Sequence, residues 1–201
     1  MPRVFAHVPT LRPVMVFIDG GYLREDLKKR YGKEKDEFTI ESFGSLLGHK
    51  LLPSVSRSER IRTYYYDAII EESTIEKVKD REERKELREK REKQKAFFRP
   101  FYDLPFCDVR LGRLVYSKKE GLRQKGVDIK MAIDMLTKAY DGHYEFAILV
   151  AGDGDFADLV EAVKDAGRRV IGAYYKDNVS PELQKSFDYR IILNKGDLKP
   201  V

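Results

Sequence analysis

The stretch LVAGDGDF, residues 149–156, sets Asp153 and Asp155 two positions apart at the end of an apolar run. Two carboxylates drawn out of water side by side repel, and the arrangement is costly unless something positive offsets them. Asp19 ends another apolar run, VMVFID at 14–19, and Asp128 opens the helical stretch that leads into the run before Asp153. Each acid alone has an ordinary use: Asp128 and Asp155 as helix N-caps, Asp19 as the start of a turn. Together, at chain positions able to meet on one sheet edge, they point to a site. Carboxylates without a cysteine or a patterned histidine suit a hard cation. Mg²⁺ and Mn²⁺ take carboxylate and water oxygens and sit beside phosphates. Such an ion activates water and stabilises the leaving oxygen of a phosphodiester. The expectation is metal-dependent hydrolysis, with Asp19, Asp128, Asp153 and Asp155 as both catalytic and metal-binding residues. Gly154 is expected to let the backbone turn tightly so that both flanking acids reach one pocket. Alternatively, Asp155 caps the following helix and Asp153 is the principal ligand.

Two further acids are weaker candidates. Asp67 stands near the end of a third apolar run and can join the same edge. Asp134 lies six residues beyond Asp128, about 240° around a helix and about 9 Å along it, so a supporting role suits it better. His7, His49 and His143 have no neighbouring partner pattern. Surface or core roles suit them better than ligation.

Basic residues crowd just before Asp128: Lys118, Lys119, Arg123 and Lys125, with Lys130 just after. Phosphate contacts supply most nucleic-acid affinity, so these residues are candidates for holding an RNA backbone. The plainer reading is a solvated loop. Tyr22, Tyr174 and Tyr175 are candidates for stacking single-stranded bases. Phe156 fits a core pattern better.

The elements that must position these groups are legible in outline. Short apolar runs at 14–19, 60–69, 108–116 (a strand or hairpin), 146–151, RRVIGAYY and YRIIL read as strands. Helices are expected after the glycines of FIDGG, in FTIESFGSLLGHKLL, and in VDIKMAIDMLTKAY with Ile129, Ala132, Ile133 and Leu136 on its apolar face. Another is expected in FADLVEAVKDAG, with Phe156, Leu159, Val160 and Val163 on one face and Gly167 as its stop. Residues 71–96 alternate acids and bases, which predicts a solvated, partly projecting helix with a thin stripe of Ile75, Val78 and Leu87. It ends in FFRPFYDLPF, near Pro100 to Pro105, and offers a surface for self-association into a homo-oligomer. SKKEGLRQKG reads as a basic loop. Strands alternating with helices predict an α/β sandwich with a mainly parallel sheet, whose sites lie outside the carboxyl ends of the strands.

The 201 residues suit a tail at 1–13 and a single domain at 14–201. Hydrophobic content of 42% supports a real core, and a net charge of +5 mildly favours an anionic partner. One cysteine excludes an intrachain disulfide and a cysteine-rich zinc site. MPRVFAHVPTLRPV lacks the apolar core of a secretory signal, and no run is long enough to span a bilayer. The expected setting is the cytoplasm, away from membranes.

VMVFIDGGYL, KGVDIKMAIDML and FAILVAGDGDFADLVEAVKDAGRRVIG resemble the three blocks of the NYN domain family. More narrowly they resemble its LabA-like branch, within the PIN-like nuclease superfamily, from about residue 14 to 195. The resemblance implies a Rossmann-like, PIN-type three-layer α/β sandwich. It also implies an acidic pocket binding Mg²⁺ or Mn²⁺, and RNA cleavage. By position, Asp19 matches the first-strand acid, Asp128 the acid opening the central helix, and Asp153 and Asp155 the paired acids of the last block. Tyr22 stands where the family often has asparagine, and Ala151 where a serine is common. Many such relatives have regulatory roles, so a non-catalytic RNA-binding module is the alternative. A haloacid-dehalogenase-like phosphatase fits less well. That chemistry usually needs a second acid two residues after the nucleophile, and position 21 is glycine.

Overall fold

The computed structural model describes residues 11–33, 35, 37–117 and 121–201. Seven strands form one sheet in the order β4-β3-β2-β1-β5-β6-β7. They are β1 (Arg12–Asp19), β2 (Ser58–Ile70), β3 (Cys107–Ser117), β4 (Gly121–Lys125), β5 (Phe146–Val150), β6 (Arg169–Tyr175) and β7 (Tyr189–Leu193). All neighbours are parallel except β3 and β4, which form an antiparallel hairpin. Parallel strands buried on both faces read as continuous apolar runs, and β5 is buried at every position.

The helices are α1 (Gly20–Tyr31), α2 (Ile40–Ser45), α3 (Glu72–Glu76), α4 (Arg81–Tyr102), α5 (Val127–Tyr140), α6 (Ala157–Asp165) and α7 (Pro181–Ser186). The chain leaves β1 leftward through α1 to β2 and through α4 to β3, then returns through α5 to β5 and continues through α6 to β6. Right-handed crossovers therefore set α1 and α4 on one face and α5 and α6 on the other. The β2 side chains show the division. Tyr65 packs on Phe98 and Phe101 of α4, while Tyr66 donates a hydrogen bond to Asp134 of α5. The direction of travel reverses between β1 and β5, and the carboxyl ends of those two strands open a crevice there. The sandwich and its mainly parallel sheet are those expected from the sequence.

Three local expectations need correction. Residues 71–96 are not one projecting helix: α3 ends at Glu76 and α4 runs from Arg81 to Tyr102. Ile75, Val78 and Leu87 close a small second core with Ile70, while Phe97, Phe98 and Phe101 join the main core. Helix α4 ends at Tyr102, within the expected stretch from Pro100 to Pro105, with Pro100 in its last turn. Half of the supposed basic loop is strand β4. On α5 the buried positions are Val127, Met131, Met135 and Ala139, spaced four apart, whereas Ile129 and Ile133 are 66% and 60% exposed. Of the expected stripe, Ala132 and Leu136 pack against the core at its edge, and Ile129 and Ile133 face outward. Helix α7 was missed altogether. Six residues are too short for a periodic signal. Among the described residues no helix is long and apolar enough to cross a membrane.

Candidate active site

Asp19 is the last residue of β1 and the N-cap of α1. Its Oδ1 accepts from the Tyr22 backbone N–H at 3.1 Å. This cap turns the chain into a helix at once, because Gly20 leaves no Cβ to strike the Tyr65 ring. Burial pushes the Asp19 carboxyl up to about 7, reinforced by the charges of Asp128 and Asp67 and opposed by backbone N–H groups of Tyr22 and Gly21. Asp128, in the first turn of α5, is also raised, first by burial and then by Asp153 and Asp155. The Asp153 carboxylate accepts from the Asp155 backbone N–H at 3.1 Å, closing the turn that leads into α6.

These groups border one open cleft of about 470 Å³ at the β1/β5 crevice. Asp19, Asp128 and Asp153 line it, together with Glu25, Gln124 and Asn178. Asp155 is outside the lining and exposed, with its charge felt at Asp128. The cap is thus Asp153 rather than Asp155. Gly154 has ordinary backbone angles, and its small size has another use: a Cβ there would come within 3.0 Å of Ser180 Oγ. Among the described residues, no group of three or more His, Cys, Asp or Glu side chains is drawn together tightly enough to grip an ion.

Glu25, Gln124 and Asn178 were not foreseen. Glu25 was within reach of the sequence, since it falls four residues after Gly21 on the same helix face. Gln124 follows once β4 is known to be a strand. Asn178 carried no local signal, because the segment after β6 folds back by distant contacts. Its side-chain N–H donates to Asp26 at 3.3 Å; Asp26 is fully buried and paired with Arg30, which also pairs with Asp177. The Ser180 N–H donates to the Gly152 carbonyl at 2.8 Å, tying the same segment to the loop that carries Asp153.

The remaining candidates lie elsewhere. Tyr22 borders the cleft but is 8% exposed, and its hydroxyl accepts from the Tyr175 N–H at 2.8 Å. That leaves little ring for a base to stack on. Tyr174, Tyr175 and Phe156 are buried. Asp134 is held by Tyr66, Lys138 and Arg110 on the α5 face, away from the cleft. Asp67 is buried beside Arg24 in a neighbouring groove. Alternation along β4 turns Gln124 toward the cleft and Arg123 and Lys125 to the opposite face. Lys130 donates to the Leu111 carbonyl on that opposite face. Lys118 and Lys119 lie outside the described residues.

The fold and the cleft can be set beside known proteins. The chain superposes on the crystal structure of VPA0982, a protein of unknown function from Vibrio parahaemolyticus, with a TM-score of 0.65 at 18% identity. The match covers 95% of this chain and 98% of that one, and it shows a shared fold. No curated protein matches. The NYN domain family matches residues 13–194, a span that contains every acid lining the cleft. The chain therefore belongs to the NYN domain family, within the PIN-like nuclease superfamily.

Proposed function

We propose that this protein is a divalent-metal-dependent ribonuclease that hydrolyses single-stranded RNA in the acidic cleft. The observation that carries the proposal is Asp19. Its carboxyl sits at the β1/β5 crevice, raised to about 7, and among the described residues the charges acting on it are those of Asp128 and Asp67. Among the described residues, the side chains lining the cleft offer carboxylate and amide oxygens and neither histidine nor thiol. That set suits Mg²⁺ or Mn²⁺. Asp19, Asp128 and Asp153 would hold the ion, with Asp155 adding charge from outside the lining and Glu25 facing the same space. When bound, the ion supplies positive charge, water activation and stabilisation of the leaving oxygen. Gln124 and Asn178 bring neutral amides to the rim, able to donate to phosphate oxygens or orient the attacking water. The LabA-like branch and a cytoplasmic setting belong to the same proposal.

The test is cleavage of a labelled single-stranded oligoribonucleotide in Mn²⁺ by the wild-type chain and by Asp153→Asn, purified in parallel. The amide keeps an oxygen to accept from the Asp155 N–H, so the turn should survive. Loss of cleavage at an unchanged melting temperature supports the reading. Equal cleavage by both overturns it. A second reading, an RNA-binding module without turnover, draws on the loose spacing of the acids. It predicts RNA binding with no cleavage in any divalent metal.

A further inference from the structure

Strand β3 is covered along only part of its outer edge. It pairs with β2 from Cys107 to Leu114, but β4 pairs with it only from Arg113 to Ser117. Among the described residues, no strand lies against the outer edge of 107–112. Successive residues of a strand turn their N–H and C=O groups to opposite edges. The Phe106 carbonyl accepts from the Thr63 N–H of β2 at 2.8 Å, whereas the Leu111 carbonyl accepts from the Lys130 ammonium. Asp108 and Arg110 therefore turn their backbone groups toward β2, and Cys107, Val109 and Leu111 turn theirs to the open edge. Two of those edge groups are already satisfied: the Cys107 N–H by the Leu104 carbonyl at 3.3 Å, and the Leu111 carbonyl by Lys130. The Cys107 carbonyl, both groups of Val109 and the Leu111 N–H have no such partner among the described residues. Unpaired edge groups of this kind are a template for another strand. Beside them lies a groove of about 370 Å³ between β3 and α5, bordered by Ile133, which is 60% exposed.

We propose that two copies of the chain pair antiparallel through residues 107–111 of β3, joining two seven-stranded sheets in a symmetric dimer. With Val109 opposite Val109, the two valines exchange N–H···O=C bonds, and the Leu111 N–H of each copy meets the Cys107 carbonyl of the other. The two edge groups left over in that register, the Cys107 N–H and the Leu111 carbonyl, are the two that each copy already satisfies. The charges fit a second copy as well. The register sets Asp108 opposite Arg110 on both sides of the dyad, and opposite charges across a strand pair stabilise where like charges repel. Each already has an exposed partner of its own, Arg62 at 3.1 Å from Asp108 and Asp134 at 3.6 Å from Arg110. The joint extends these pairs into a row of alternating sign: Arg62, Asp108, then Arg110 and Asp134 of the second copy. The other edge of the sheet, β7, has Arg190 as its one charged residue and no such self-complement. The strand ends have room, because Phe106, at φ 56°, leads in from α4, and Gly126, at φ 80°, leads out to α5 on the opposite face. The antiparallel joint sends the two acidic clefts to opposite ends, so the inference stands apart from the reading of the cleft.

The test is the mass of the full chain in solution, by light scattering and sedimentation, from micromolar to near-millimolar concentration. The wild type should reach twice the monomer mass and dissociate on dilution. Val109→Pro removes the N–H at the dyad, which points away from β2, and should give a folded monomer. Asp108→Arg brings like charges together across the joint, as does Arg110→Asp, and each should weaken the dimer about tenfold or more. These two variants carry complementary charges, so an equal mixture of them should form a heterodimer. Arg190→Asp, on β7, should leave the mass unchanged. Melting temperatures confirm folding, and if Val109→Pro does not fold, the charge variants carry the test. A wild type that stays monomeric throughout overturns the proposal. So does a dimer that survives both charge variants, one lost on Arg190→Asp, or charge variants that stay monomeric when mixed.

Discussion

Asp19 and Asp67 occupy neighbouring parallel strands, both near the carboxyl edge, and both carboxyls are raised by burial. Their surroundings differ. Asp67 is 3% exposed yet fully engaged: Arg24 at 3.3 Å, the Tyr65 hydroxyl at 3.3 Å and the Ala68 N–H at 2.7 Å. Among the described residues, Asp19 is met by backbone N–H donors, and the charges of Asp128 and Asp67 add repulsion. The first acid is a finished piece of structure, because its partners come with the fold. The second is held at a cost that a cation would relieve. The contrast separates a structural carboxylate from a poised one more clearly than burial does.

The contrast can be broken at either end. Asp19→Asn should reduce Mn²⁺-dependent RNA cleavage by roughly two to three orders of magnitude, measured as kcat/KM, since it removes charge from where the ion is needed. It should also raise the melting temperature of the metal-free protein, because asparagine keeps the N-cap without the buried charge. Asp67→Ala should do the reverse. It strands Arg24 and should cost about 3 kcal/mol in urea unfolding, with cleavage retained at temperatures where the variant stays folded. Tyr22→Phe removes the acceptor for the buried Tyr175 N–H and should cost about 1–3 kcal/mol by the same measurement.

The smallest effect is a dependence on pH. The folded carboxyl of Asp19 titrates near 7, against 3.8 for the ordinary side chain. Between those values the folded state holds a proton that the unfolded chain has released. Its contribution therefore makes the metal-free protein lose stability as pH rises from about 4 to about 7. Asp19→Asn should flatten this part of the melting-temperature profile. Mn²⁺ should stabilise the wild type more at pH 7.5 than at pH 5, because ion and proton compete for the same oxygens.

How much of this was legible in the sequence depended on what fixed each residue. Asp19 and Asp153 follow strands, and a parallel sheet delivers strand ends to one edge whatever the details. That is why the acids and the sheet could be read ahead. The basic residues depended on side-chain direction. Reading 117–126 as a loop hid the alternation of β4, which turns Arg123 and Lys125 away from the cleft and leaves Gln124 in it. The face of α5 was half right for a related reason: Ala132 and Leu136 do pack against the core, but Ile129 and Ile133 are as apolar as Met131 and Met135, and only tertiary packing chooses between them. Asn178 depends on the Asp26–Arg30–Asp177 network, which joins α1 to a segment some 150 residues later and leaves no local pattern.

The account stands on the claim that Asp19, the acid ending β1, is half of a cation site. Crystals soaked in Mn²⁺ and measured for anomalous scattering test it most directly. The account predicts a peak in the β1/β5 cleft, ligated by Asp19 and Asp153 with Asp128 in direct or water-mediated contact. A saturating soak that leaves the cleft without a peak, or places the ion only at other carboxylates, would contradict it.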